Sequence, residues 1–439
     1  MRISILGLGY VGCVSAACLA HEGHAVVGVD VNPTKVDLIG AGRSPIVEPG
    51  LDELIAEGVA TGRLRATLDT KAAVHETELS LICVGTPSNA NGSLNLKYVE
   101  GVCREIGEAL ASKDAYHVVV IRSTVLPGTV LNQMLPILEA ASGKKVGEHF
   151  GLSMNPEFLR ESSAIADYYS PSHIVIGEYD ERSGDMVEAL YKGIDAPLER
   201  VSIPTAEMVK YVDNAFHALK VVFANEIGSV CKAHEIDGRR VMEIFCQDTR
   251  LNLSPAYLRP GYAFGGSCLP KDLRALTYRT KERDIDAPML NSLLLSNQYH
   301  IQRGIHMVEQ AASKEVGILG LSFKANTDDV RESPMVVLIE TLVGRGFHVR
   351  VYDEHVHPDR LIGANREFLL RELPHIVSLM SDTIDHLLAD VDTVVIANGS
   401  AAFRDVPGKL RQGQTLIDLV GIVKHHDDTY QGSYDGICW

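Results

Sequence analysis

No apolar run in this sequence approaches the roughly 18 residues that a membrane-spanning helix needs, so no span is expected. The eight cysteines, at 13, 18, 83, 103, 231, 246, 268 and 438, contain no C-x-x-C pair, and in 439 residues they are too few for a disulfide scaffold. Free thiols in a reducing compartment are the expectation. Basic charge is in deficit: 41 Lys and Arg stand against 57 Asp and Glu, a formal charge of −16, which argues against a nucleic-acid or anionic-membrane partner. Any anionic ligand must then meet a local basic cluster. The N-terminus lacks the charged region, long apolar stretch and cleavage site of a signal peptide, so a cytoplasmic location is expected. Neither H-E-x-x-H nor a Cys-rich set accompanies His355-x-His357 and His425-His426; no metal site is expected, and these His read as surface residues. Low-complexity segments and long Pro/Gly linkers are missing too.

What is present is an ordinary globular composition, 46% apolar and 22% charged, with length for roughly three domains at about 150 residues each. The first 170 residues alternate helical patterns with short Val- and Ile-rich runs at 2–6, 25–30, 79–84, 117–121 and 150–154. Such alternation indicates βαβ units and a parallel sheet. The last 125 residues repeat the theme at 315–319, 348–352, 393–397 and 415–418, a second α/β domain. Between them, 204–235 reads as one long helix, with Pro204 in its first turn. On a helical wheel Met208, Val212, Ala215, Leu219, Val222 and Phe223 fall together, with Lys210, Asn214, His217 and Asn225 opposite. That second stripe reads either as a solvated face or as a ligand-facing one. A helix so placed also suits a dimerisation spine.

Gly7-Leu8-Gly9-Tyr10-Val11-Gly12 matches G-x-G-x-x-G after a strand and before a helix. The glycines permit a tight turn, close approach to a pyrophosphate and close helix–strand packing. Asp30 ends the next strand, where its carboxylate accepts ribose hydroxyls and repels a 2′-phosphate, favouring NAD over NADP; Lys35 nearby weakens that preference. Two further strand ends border such a cofactor and offer Thr86 and Thr124, each a cofactor or site-water contact or a helix N-cap.

Phe264-Gly265-Gly266-Ser267-Cys268-Leu269-Pro270-Lys271-Asp272 is the most informative stretch. Its glycines admit a close backbone approach to a ligand. Pro270 suits the first turn of a helix, which puts Cys268 at a helix N-terminus beside Lys271, a setting that favours a thiolate. From local chemistry Cys268 is a nucleophile or a buried small residue. An NAD site in the same chain favours the first, because oxidising an aldehyde to an acid uses both: the thiolate adds, hydride leaves, and a thioester is hydrolysed.

These motifs together, GLGYVG at 7–12, CVGTP at 83–87, RSTVLPGT at 122–129, NPEFLRES at 155–162, AEMVKYVDNAFHALKVVFANEIG at 206–228, FGGSCLPKD at 264–272 and GLSFKANTDDVRESP at 320–334, resemble the UDP-glucose/GDP-mannose dehydrogenase family over essentially the whole chain. RPGYAFGGSCLPKD at 259–272, NPEFLRESSAI at 155–165 and the ending Gly436-Ile437-Cys438-Trp439 resemble the members that act on GDP-mannose, ahead of those for UDP-glucose or a UDP-N-acetylhexosamine. Ala256 and Tyr262 depart from that pattern, where Tyr and Phe are expected.

The resemblance implies two Rossmann-like doubly wound domains joined by a long central helix and a helical middle domain. The implied divisions are an NAD-binding domain at 1–200, a central dimerisation domain with the Cys loop at 201–310, and a nucleotide-sugar-binding domain at 311–439. It implies a homodimer or larger assembly. It also implies four-electron oxidation of a sugar C6 alcohol with two NAD, giving GDP-mannuronate for an alginate-type exopolysaccharide. By the same resemblance Cys268 is the nucleophile, Lys210 and Asn214 stabilise the oxyanion, Glu161 is or assists a general base, and Asp272 and Thr124 position water. Substrate contacts fall to Glu161, Lys210, Asn214, His217, Asn225, Tyr257, Arg259, Tyr262, Gly265 and Lys324. NAD contacts fall to Tyr10, Val11, Asp30, Lys35, Thr86, Thr124, Lys271 and Arg331. An NAD-binding redox sensor that turns nothing over has the GLGYVG site but no use for FGGSCLPKD with Lys210 and Asn214.

Overall fold

The computed structural model describes residues 1–233, 235–249, 259–282, 284, 287–311, 313–357, 359–423 and 432–439. The chain divides into two compact units, Met1–Asp213 with Arg274–Arg279, and Asn214–Leu273 with Thr280–Trp439. Among the described residues no helix is long and apolar enough to cross a membrane.

The first unit is built on eight strands: β1 (Arg2–Leu6), β2 (Ala25–Val29), β3 (Leu64–Thr67), β4 (Leu79–Ile82), β5 (His117–Ile121), β6 (Phe150–Met154), β7 (Ile174–Glu178) and β8 (Leu198–Ser202). Their order is β3-β2-β1-β4-β5-β6-β7-β8, parallel throughout except where β7 meets β6 antiparallel, Met154 opposite Gly177. Strands buried on both faces need apolar residues at nearly every position, which Val118–Ile121 supply, while the buried His117 ring is met by Ser80 Oγ at 2.7 Å. Val118 and Val120 enter one core layer, and Val119 and Ile121 the other. Each such side chain contributes about 1.5–3 kcal/mol on burial. Helix α1 (Tyr10–His21) buries Ala16, Ala17, Cys18 and Ala20, small residues that let it lie close to the sheet. The strand order reverses between β1 and β4. In open α/β sheets that switch point, beyond the carboxyl ends of the strands, is where ligands bind.

The second unit carries a smaller, all-parallel sheet of β9 (Glu315–Leu319), β10 (His348–Tyr352), β11 (Thr393–Ile396), β12 (Thr415–Asp418) and β13 (Ser433–Gly436), in the order β10-β9-β11-β12-β13. Both faces are again covered: Val395 and Ile417 lie in one layer, Val394, Ile396 and Leu416 in the other. Two Rossmann-like sheets are therefore present.

The long helix is α2 (Ile203–Ala233), followed by α3 (Leu269–Glu282) and α4 (Pro288–Gln310). Its faces overturn the solvated-stripe reading for three of the four polar residues, and split the apolar stripe, of which Val222 is buried. Lys210, Asn214 and Asn225 are buried, whereas Met208, Val212, Phe216 and Phe223 are 40–54% exposed. Partners decide this, since a buried Lys or Asn is tolerable only when its polar atoms are met. On α2 they are met, as described next.

Candidate active site

In the first unit, Gly7 follows β1 with φ +100, a left-handed conformation, and donates its N–H to the Val29 carbonyl at 2.8 Å. A Cβ at Gly12 would stand 1.8 Å from the Gly7 carbonyl oxygen, so the third glycine is there for close packing of α1 on the turn. A Cβ at Gly9 would meet nothing within 4 Å, leaving an open backbone cradle at the start of α1. Asp30 lies just past β2; its carboxylate accepts the Leu8 N–H at 2.8 Å and the Asn32 N–H at 2.9 Å, and pairs with Lys35 Nζ at 3.1 Å. A cradle at a helix N-terminus with a held carboxylate one strand away fits a dinucleotide. Tyr10 sends its hydroxyl to Glu48, a buried carboxylate that also accepts from Ser162 N at 2.7 Å and Ala164 N at 2.8 Å. Glu48 thus ties the dinucleotide turn to the loop carrying Glu161, which is half-buried beside Ser162. Val11 is half-buried as well.

Thr86, after β4, is buried and donates its Oγ1 to the Thr124 carbonyl at 2.9 Å, joining the two strand-end loops expected to border the cofactor. Lys210 Nζ sits 3.1 Å from Glu157 Oε1 and 5.5 Å from the centre of the Phe158 ring. Glu157 was not singled out from the sequence. Its signal was its place within NPEFLRES, two residues past Asn155, which is itself buried. Glu207, one turn before Lys210, is fully buried and accepts the N–H groups of Gly128 at 2.6 Å and Val130 at 2.8 Å. Burial pushes its carboxyl up to about 7, against the pull of those backbone N–H groups.

In the second unit, Cys268 immediately precedes α3, and Asp272 N donates to its carbonyl at 2.9 Å, the first hydrogen bond of the helix. Cys268 is exposed, whereas Cys13, Cys18, Cys83, Cys103, Cys231 and Cys438 are buried and Cys246 is half-buried. Burial pushes the thiols of Cys13, Cys18, Cys83 and Cys103 up to about 12. Cys268, accessible at a helix N-terminus, is the one placed for thiolate chemistry. Asp272 is buried, receives the Asn214 side-chain amide, and pairs with Lys271 Nζ at 3.0 Å. The expected water-positioning carboxylate and oxyanion amide are therefore hydrogen-bonded to each other.

The glycines before Cys268 serve the fold. A Cβ on Gly265 would lie 2.5 Å from the Glu332 carbonyl oxygen, and Gly266, at φ +85, lies flat on the Phe323 ring. Other expected substrate contacts also have structural partners. Asn225 accepts from Gly261 N at 2.9 Å and donates to the Tyr262 carbonyl at 3.2 Å. Tyr262 is buried, with its hydroxyl 3.3 Å from the Ile301 carbonyl. Arg331, expected to contact NAD, forms a fork to Asp329 at 2.6 and 2.9 Å. Lys324 Nζ lies 5.7 Å from the centre of the Phe323 ring, and His217 is half-buried on α2. Arg259 is exposed and lines a cavity of about 1280 Å³ with Lys232, Arg239, Arg404 and Trp439. Glu235, Asp237 and Asp405 line the same cavity, so its basic residues stand among carboxylates. Tyr257, Ala256 and the His425-His426 pair lie outside the described residues. Among the described residues no three His, Cys, Asp or Glu gather to hold a metal ion.

Comparison with known proteins gives the family. Three family patterns cover the chain: the UDP-glucose/GDP-mannose dehydrogenase family NAD binding domain at 1–195, its central domain at 204–299 and its UDP binding domain at 317–425. The GDP-mannose 6-dehydrogenases of Pseudomonas syringae pv. tomato and Pseudomonas aeruginosa are 54% and 53% identical over 439 residues, 100% of both chains. A UDP-glucose dehydrogenase structure from Pyrobaculum islandicum is 36% identical with a TM-score of 0.89, covering 100% of this chain and 97% of that one. A ternary complex of GDP-mannose dehydrogenase from Pseudomonas aeruginosa is 53% identical with a TM-score of 0.58, covering 100% of each. A G-x-G-x-x-G cradle closed by Asp30, an accessible cysteine at the start of α3 and full-length identity above one half lead to one conclusion: this chain belongs to the UDP-glucose/GDP-mannose dehydrogenase family and carries its NAD-binding domain.

Proposed function

We propose that the protein oxidises the C6 alcohol of GDP-mannose to the carboxylate of GDP-mannuronate in two stages, within a domain order of 1–200, 201–310 and 311–439. The observation that carries this is Cys268, exposed at the N-terminus of α3 in a chain that aligns end to end with GDP-mannose 6-dehydrogenases. Gly7, Gly9, Gly12, Asp30 and Thr86 would hold NAD, which when bound accepts hydride from the substrate carbon.

The chain's own residues do the rest. Glu161 takes the hydroxyl proton of the alcohol. Cys268 Sγ adds to the aldehyde carbon, forming a C–S bond, and Lys210 and Asn214 stabilise the oxyanion that results. After the second oxidation the sugar acyl group remains on sulfur as a thioester. Asp272 and Thr124 position a water whose oxygen joins the acyl carbon as the C–S bond breaks, freeing the carboxylate and the thiol. Arg259 and Lys324 supply charge for the diphosphate. Purified protein with NAD and GDP-mannose should yield about two NADH per sugar, with far less from UDP-glucose or a UDP-N-acetylhexosamine. Turnover of UDP-glucose with none of GDP-mannose reverses the choice of substrate.

We also infer a homodimer built on α2. Met208, Val212, Phe216 and Phe223 leave an apolar stripe at the surface of a helix that buries Glu207, Lys210, Asn214 and Asn225. Such a stripe marks a partner contact more often than a solvent face. Sedimentation should give at least twice the chain mass, with Val212→Lys/Phe216→Lys shifting it to monomer. A wild-type monomer at all concentrations sinks the inference.

A further inference from the structure

We propose that Glu207 is a positioning residue for the reaction: it clamps the 122–129 loop, which carries Thr124, to the turn of α2 that carries Lys210. This rests on the roles given above to Thr124 and Lys210.

The helical segment after β5 opens with the π-helical turn Val130–Met134 and continues as Leu135–Ser142. Its N-terminal N–H groups need acceptors. A local Ser, Thr, Asp or Asn cap is the usual supplier. Thr129 stands at that N-cap, yet its side chain makes no capping bond. The acceptor instead comes from 77 and 79 residues away, where the two oxygens of Glu207 divide the work, one on Gly128 N and one on Val130 N. A fully buried carboxylate is a costly cap compared with a local hydroxyl, because it must leave water. What it adds is a fixed distance between two segments remote in sequence.

The geometry reaches the proposed site in both directions. Upstream, the loop is fastened a second time at Thr124, whose carbonyl accepts from Thr86 at 2.9 Å. Downstream, Lys210 is three residues from Glu207 on the same helix, its ammonium 3.1 Å from Glu157. Glu207 thus holds Gly128, four residues past Thr124, against the turn of α2 that carries Lys210. A shift of about 1 Å in such a group costs on the order of 10²-fold in rate.

Glu207→Gln keeps the size of the side chain but turns an N–H₂ toward one of the two backbone N–H groups. It should lower kcat about 10- to 100-fold while leaving KM for the nucleotide sugar within about threefold. Because Thr124 is assigned to the hydrolytic water, intact-protein mass spectra of samples quenched during turnover should show more acylated Cys268 than wild type. Glu207→Asp, which keeps the charge with a shorter reach, should fall between the two, and it carries the test if the Gln variant does not fold. A folded variant with kcat within about twofold of wild type, or a loss confined to KM, overturns the assignment. So does a lowered melting temperature without extra acylated enzyme. Absence of NADH from the wild type with every sugar nucleotide would instead count against the proposed function itself.

Discussion

Cys268→Ala is expected to yield no sugar acid, with carboxylate formation at least about 10³-fold below wild type and NADH capped near one per sugar. The reason is local and exclusive. The first oxidation needs no bond to the protein, but the second needs a tetrahedral carbon that can lose hydride, and sulfur supplies it. None of the other cysteines is exposed, and burial holds four of them at a pKa of about 12, so none can substitute. Cys268 itself is exposed, so its loss should change stability by no more than about 0.5 kcal/mol. Equal melting temperatures with unequal chemistry would thus separate nucleophile from structural residue. Cys268→Ser should trap an ester that hydrolyses slowly, visible as added mass. Two NADH per sugar from the alanine variant at the wild-type rate would dispose of the thioester route.

Lys210→Met should do two separable things. Lys210 and Glu157 form a buried ion pair at 3.1 Å, with side chains 7% and 8% exposed. Removing one partner leaves an uncompensated charge, a loss of about 3–5 kcal/mol in stability. Removing the ammonium also takes away the oxyanion donor proposed above, worth about 10²–10³ in kcat. The double variant Lys210→Met/Glu157→Gln distinguishes them. Stability should largely return, because a neutral amide replaces the stranded carboxylate, while kcat should stay low. Recovery of activity together with stability would mean that Lys210 acts through the fold alone. An unchanged melting temperature in the single variant would mean that the pair does not matter in solution.

Much of this was readable in advance. Short Val- and Ile-rich runs between helical patterns read as strands, and nine of the thirteen strands are legible that way, from His117–Ile121, buried throughout, to His348–Tyr352, which alternates at a sheet edge. The strands that went unread are mostly those without such a run. Leu198–Ser202 is half-exposed at a sheet edge, Leu64–Thr67 has one buried residue, and Ser433–Gly436 is mostly polar. Ile174–Glu178 is the exception, since Ile174-Val175-Ile176 carries an apolar run. The dinucleotide turn and the cysteine loop were legible because their chemistry is local: a glycine at φ +100 and a thiol at a helix start depend on neighbours in the chain.

The carboxylates Glu48, Glu157 and Glu207 were not legible. Their partners lie 114, 53 and 79 residues away, at Ser162, Lys210 and Gly128, and no spacing rule announces them. The faces of α2 were undecided for the same reason. Periodicity separates Met208 and Val212 from Lys210 and Asn214, but which stripe is covered depends on what packs there. Sequence by itself determined the strands with apolar runs, the glycine cradle and the place of Cys268 at a helix start, since each follows from contacts within a few residues. Tertiary structure alone decided which polar side chains are buried and what they hold, since a buried charge is stable only where distant segments bring it a partner.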